Sequence, residues 1–159
     1  MQNKLKSGGA AIAISVLFVA LSAAVVIKTG LNNIGYAQGG GTSDVDLIAR
    51  AINGEARGEP YEGQVAVGAV ILNRTRDPKF PKTVAGVIYQ PGAFTAVSDG
   101  QINVPINPKS SVFKAARDAL DGWDPTNGCI YYWNPATATS KWIWSRTIVR
   151  KIGKHYFAK

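Results

Sequence analysis

After one unbroken apolar run near the start, the chain keeps two hydrophobic rhythms in turn, first the period of a helix and then that of a strand. The run, AAIAISVLFVALSAAVVI, extends from Ala10 to Ile27 and is followed by Lys28. Helical spacing begins with Leu47, Ile48, Ala51 and Ile52, behind Ser43-Asp44, either of which can cap a helix. Gly54 is its expected end. Pro60 suits the first turn of a second helix, and GQVAVGAVILNR (63–74) is apolar on nearly every side, which marks a central, buried helix. TVAGVIYQ (83–90) predicts a third, short helix stopped by Pro91-Gly92, with loop through Pro108. SSVFKAARDALDGW (110–123) predicts an amphipathic helix with Val112, Ala115, Ala116 and Ala119/Leu120 inward, closed by Gly122. The rhythm then changes. CIYYWN (129–134), KWIWSR (141–146) and TIVRKIGKHYF (147–157) are rich in aromatic and β-branched residues with turn signals between them, and predict a small antiparallel sheet. Helices followed by a sheet give an α+β domain with a cleft between its two parts.

The apolar run lies outside that domain. Its 18 residues would make roughly 27 Å of helix, close to the hydrocarbon thickness of a bilayer. Lys4 and Lys6 precede it, and Gly35 and Ala37 in IGYAQ offer the small-x-small pattern of a signal-peptidase site. Residues 1–37 are therefore expected to be either a cleaved signal peptide or an uncleaved N-terminal membrane anchor. Both place the remainder outside the cytoplasm. Residues 38–43, QGGGTS, read as a linker, and 44–159 as the folded domain. The whole chain carries a net charge of +8; removal of Lys4, Lys6 and Lys28 from its 18 basic residues leaves 15 against 10 acidic ones, or +5. A basic exported domain favours an acidic polymer or surface such as bacterial wall or anionic lipid, and no nucleic-acid partner is expected. The single Cys129 cannot form an internal disulfide and is either buried and inert or a liability. With one cysteine and one histidine, His155, neither a metal site nor a cofactor is implied.

Between the first two helices lies GEARGE (54–59), glycines and charges between two of the most apolar segments of the domain. A glutamate at a helix end beside apolar side chains is a candidate general acid, because a carboxyl shielded from water keeps its proton more readily. Gly54 would let a polymer approach beside Glu55, and Arg57 could pair with a glutamate or turn outward. No Gly-x-Ser-x-Gly elbow is present, and His155, in an expected strand beside Tyr156 and Phe157, reads as a packed structural histidine.

The segments LIARAINGEARGEPYEGQVAVGAVILNR (47–74), VIYQPGAFTAVSDGQI (87–102), AARDALDGWDPTNG (115–128), YYWNP (131–135) and KWIWSRTIVRKIGKHYF (141–157) closely resemble, in the same order, the bacterial cell wall hydrolase family that includes the spore cortex-lytic enzymes. The resemblance implies a lysozyme- and lytic-transglycosylase-like catalytic domain whose catalytic glutamate corresponds to Glu55. It also implies peptidoglycan glycan strands as substrate, in spore cortex or vegetative wall. Spore cortex-lytic enzymes often carry a separate peptidoglycan-binding module, whereas here the export segment passes almost directly into the catalytic part.

Glycosidic hydrolysis usually takes two carboxyls. Glu59, Asp99 and Glu62 are the candidates for the second, and none stands out. A lytic transglycosylase needs one: its glutamate protonates the leaving oxygen, then accepts a proton from the 6-hydroxyl of muramic acid as a 1,6-anhydro ring closes. That reading is favoured over a hydrolytic muramidase. An amidase cutting between muramic acid and the stem peptide lacks its usual zinc or nucleophile, and a non-catalytic wall-binding module is the reading from another class. Glycan binding calls for aromatic faces and planar hydrogen-bonding groups. Tyr131 with Trp133, or Tyr132 with Asn134, would face the cleft from a strand, and Trp142 would share a face with Trp144. Phe94, Thr95, Asp99 and Gln101 are expected in the cleft wall. Asn73 would close the buried helix on the cleft side, or simply cap it.

Overall fold

The computed structural model describes residues 42–159; the signal or anchor segment, and the linker up to Gly41, lie outside the described residues. Helix α1 (Asp44–Ala56) is capped by Ser43, whose Oγ accepts from the Asp46 amide at 3.3 Å, with Asp44 and Asp46 in the favourable first turn. It runs two residues past Gly54, so Glu55 stands in its last turn. Helix α2 (Tyr61–Arg76) follows, with Pro60 at the cap rather than inside the first turn. Short helices α3 (Val84–Ile88) and α4 (Thr95–Ser98) and a 3-10 turn (Gln101–Asn103) lead to α5 (Ser111–Leu120). Ser110 caps α5, and Gly122, at φ +104°, closes it; the Trp123 amide reaches back to the Asp118 carbonyl at 3.0 Å. Leu120 was expected inward but is 39 % exposed, because the inward stripe ends at Ala119.

Strands β1 (Tyr131–Trp133), β2 (Ile148–Ile152) and β3 (His155–Ala158) form one antiparallel sheet in the order β1-β3-β2. Tyr132 pairs with Phe157 across β1 and β3, and Ile152 with His155 across the tight β2–β3 turn. The turn is Gly153-Lys154, with Gly153 in the left-handed region at φ +57°. KWIWSR is not a strand. Lys141–Ser145 wind into a 3-10 helix, so the two tryptophans do not share a face: at about three residues per turn, positions two apart diverge.

The prediction of a central helix holds at α2, where Val65, Ala66, Val67, Val70 and Ile71 are fully or almost fully removed from solvent. Its two sides serve different layers. Val65, Val67 and Ile71 belong to the main core with α1 and α5, while Ala66 and Val70 pack with Cys129, Ile152 and Phe157 under the sheet. Cys129 is thus buried, its thiol donating to the Thr126 carbonyl at 3.1 Å and held above its ordinary pKa by burial. Opposite the tight turn, the Glu59 carboxylate accepts from the Lys154 amide at 2.8 Å, and a side chain on Gly153 would collide with it. The α1–α2 loop is therefore fastened to the β2–β3 hairpin.

Candidate active site

Glu55 projects from the end of α1 into an open cleft of about 450 Å³ lined by Gly54, Arg74, Gly92, Thr95, Tyr132, Trp133, Asn134 and His155 among others. Each of its oxygens has a donor from a different layer. The Ala96 amide, at the start of α4, donates to Oε1 at 2.9 Å; the Tyr132 hydroxyl, from β1, donates to Oε2 at 3.2 Å. Gly54 explains the first contact. A Cβ there would sit 2.4 Å from the Ala96 Cβ, so the missing side chain lets α4 press against the last turn of α1. Ala96 fills the direction a Gly54 side chain would take, while Gly54 itself still borders the open cleft beside Glu55.

Tyr132 is fixed by rings on three sides: Phe157 stacked at 6.0 Å, His155 edge-on at 5.4 Å and Phe94 tilted at 6.4 Å. Burial, then the neighbouring Glu55 charge, push its phenol well above the ordinary tyrosine pKa, with Arg74 partly opposing. It remains a donor. His155 lines the cleft with Nδ1 buried and unpartnered, and burial holds its pKa below the usual value.

The structure gathers some of the expected site residues and scatters others. Thr95 and Trp133 line the Glu55 cleft. Tyr131 and Trp142 line a second pocket, about 290 Å³, which shares Arg74, Gly92, Ala93 and Tyr132 with the first, so the two form one groove. The expected alternation along β1 does not separate its residues. Tyr132, Trp133 and Asn134 all border the Glu55 cleft, because the strand is three residues long and turns away at Asn134. Phe94 is buried and supports Tyr132 and Arg74 from behind. Asn73 lies outside the groove lining: its amide nitrogen donates to Asp124 at 2.9 Å and the Cys129 carbonyl at 3.1 Å, tying α2 to the loop before β1. Asp99 is exposed and accepts from the Gln101 amide at 3.0 Å, while Gln101 accepts from Arg57 at 2.6 Å. Glu59 holds the hairpin and Glu62 faces Arg150 at 3.3 Å. Among the described residues, Glu55 is the only carboxyl lining either pocket.

Sequence reasoning missed Arg74 and left Tyr132 undecided. Arg74 did carry a signal. It continues the i, i+4, i+7 stripe begun by Val67 and Ile71, whose members are buried, so a charged residue there had to be buried or exceptional. For Tyr132 the sequence contained no equivalent cue, since alternation alone cannot tell which face of a strand meets a cleft.

A layer of helices that turns Glu55 into an open groove, set beside a three-stranded sheet, defines a lysozyme-like α+β domain. The chain belongs to the cell wall hydrolase family: the sequence pattern of the family described as Cell Wall Hydrolase matches residues 58–158, which takes in Arg74, Tyr132 and His155 and begins three residues after Glu55. It is 58 % identical over 125 residues to a spore cortex-lytic enzyme of Bacillus cereus, an alignment covering 79 % of this chain and 46 % of that enzyme. The chain thus spans about half the length of the curated relatives it matches. Among solved structures it is similar to the catalytic domain of the germination-specific lytic transglycosylase SleB from Bacillus anthracis, with a TM-score of 0.72, 56 % identity, and coverage of 80 % of this chain and 99 % of that one. The catalytic domain of the Bacillus cereus SleB protein superposes with a TM-score of 0.69 at 59 % identity, covering 75 % and 93 % of the two chains.

Proposed function

We propose that the protein is a peptidoglycan lytic transglycosylase that acts outside the cytoplasm on the bond between N-acetylmuramic acid and N-acetylglucosamine, with spore cortex during germination as its setting. The observation that carries this reading is that, among the described residues, Glu55 is the one carboxyl lining the groove, held on both oxygens. Glu55 gives its proton to the glycosidic oxygen as the bond from C1 of the muramic unit breaks, and the N-acetylglucosamine side leaves with a new hydroxyl. The carboxylate then takes the proton of the muramic 6-hydroxyl, whose oxygen bonds to C1 and closes the anhydro ring. No water is consumed, so no second carboxyl is needed to activate one. Ala96 and Tyr132 keep the carboxyl in one orientation for both steps. Tyr131 and Trp142 border the groove for the strand beyond, while the buried Trp133 backs the cleft rather than offering it a ring face. Relatives bearing the names spore cortex-lytic enzyme and germination-specific lytic transglycosylase support both the substrate and the reaction type. Residues 1–37 serve as the export signal or as an anchor to the outer face of the cytoplasmic membrane, and 44–159 as the catalytic domain.

The test is mass spectrometry of muropeptides released from purified cortex and vegetative peptidoglycan by the full chain, with Glu55→Gln in parallel. Products ending in 1,6-anhydro-muramic acid, reduced by about 10²- to 10⁴-fold in the variant, are expected. Reducing ends would assign a hydrolytic muramidase instead, released stem peptides an amidase, and binding without cleavage a wall-binding module.

A further inference from the structure

Arg74 is a buried cation that forms no salt bridge among the described residues; the charge of Glu55, in the same cleft, favours it only from beyond ion-pair distance. Arg74 is 8 % exposed, its Nε donates to the Ile130 carbonyl at 2.8 Å, and its guanidinium lies between the rings of Phe80 at 5.3 Å and Phe94 at 5.4 Å. Among the described residues no carboxylate lies within ion-pair distance of it, and none accepts a hydrogen bond from its two terminal nitrogens. Those nitrogens are not sealed from solvent, unlike the buried unpartnered atoms of Gln64, Trp133, Arg146 and His155. The residue lines both pockets, at the place where they join. A guanidinium is charged at any working pH, and burying such a charge unpaired is costly unless something outside the chain completes it. The aromatic clamp holds the planar fork in one orientation, which suits bidentate recognition of a carboxylate.

Resting on the glycan-cleaving reading, we propose that Arg74 is the groove's anion anchor and takes a carboxylate borne by the muramic unit bound beside Glu55. Of the two sugars in the strand only muramic acid carries a carboxyl-bearing substituent, through its lactyl ether. The anchor therefore fixes which sugar presents its C1 to Glu55, and so sets the register of the strand. The carboxylate is either that of the lactyl arm or one on an attached peptide.

Binding to the full chain carrying Glu55→Gln, measured by calorimetry, tests this with three probes. They are chitotetraose, a peptide-free tetrasaccharide of alternating N-acetylglucosamine and muramic acid, and the same tetrasaccharide carrying an L-alanyl-D-glutamate dipeptide. Adding Arg74→Gln is expected to weaken a carboxylate-bearing probe by about tenfold to hundredfold while chitotetraose stays within twofold. Loss with the peptide-free tetrasaccharide assigns the lactyl carboxylate, and loss confined to the dipeptide form assigns the peptide. Equal weakening of all three, or of none, overturns the anchor and leaves the glycan reading standing. Failure of every glycan to bind overturns both. Should Arg74→Gln not fold, nuclear magnetic resonance of the intact Arg74 side chain decides. Slowly exchanging terminal N–H signals should appear with a muramic probe and not with chitotetraose; their absence overturns the inference.

Discussion

Tyr132 gives Glu55 a donor that keeps its proton throughout the neutral range, since burial and the adjacent carboxylate both hold its pKa well above the ordinary value. Tyr132→Phe would remove the hydroxyl and keep the ring among Phe94, His155 and Phe157. We expect kcat on purified peptidoglycan to fall about tenfold to hundredfold, the worth of one hydrogen bond to a charged group, with KM little changed and the unfolding free energy within about 1 kcal/mol of wild type. Unchanged kcat in steady-state assays would mean that the Ala96 amide orients the acid alone. At this scale Glu55 was legible in sequence as a candidate acid because it stands in a charged cluster between apolar helices. Its supports were not. An amide 41 residues away and a hydroxyl 77 residues away leave no local mark on the chain. Asn73 illustrates the converse: a polar residue at the end of a buried helix turns out to hold Asp124 and Cys129, a role no spacing announces.

The last turn of α1 is shaped by what it touches. Glycine inside a helix costs about 1 kcal/mol relative to alanine, and propensity alone placed the helix end at Gly54. Packing overrides it, since only a missing Cβ admits Ala96 at this distance. Gly54→Ala should therefore destabilise the fold by about 1–3 kcal/mol, as overpacking does, and weaken catalysis by displacing the amide that holds Glu55. Gly58, four residues on, has nothing within 4 Å of an added Cβ, and Gly58→Ala should stay within about 0.5 kcal/mol of wild type. Urea denaturation of both variants checks the pair; equal stabilities would contradict the packing account. The main helices could be read from periodicity because each has an apolar stripe or an apolar whole. KWIWSR misled because aromatic and β-branched content favours strands, whereas the segment winds into a 3-10 helix that buries Ile143 and leaves Trp142 and Trp144 exposed.

At the scale of the molecule, His155 couples the assembled fold to pH. Burial lowers its folded pKa below the ordinary 6.5, with Glu59 and Glu55 opposing and Lys154 reinforcing the shift. The unfolded chain thus binds more protons than the folded one between the two values, and stability rises with pH across that window. The contribution is complete above about pH 6.5 and is lost as acid carries the pH down toward the folded pKa. Since the chain has one histidine, urea melts between pH 7.5 and 5.5 should lose stability on acidification, and His155→Phe should flatten the slope. An unchanged slope would assign it to other groups. The α+β layout could be anticipated from the change of rhythm near residue 129. The fastening of the layers, Glu59 on the hairpin turn and α2 between two cores, could not, because each joins residues distant in sequence.

The two donors on Glu55 also set an order of events. As the chain leaves the ribosome, Glu55 emerges early and the Ala96 amide soon after, but Tyr132 lies on a strand whose only partner in the sheet is β3, the last element described. Contacts of such long sequence separation close late in folding. A chain that has not yet paired β1 with β3 therefore holds Glu55 by the Ala96 amide alone, and the phenol that orients it arrives with the last strand of the sheet.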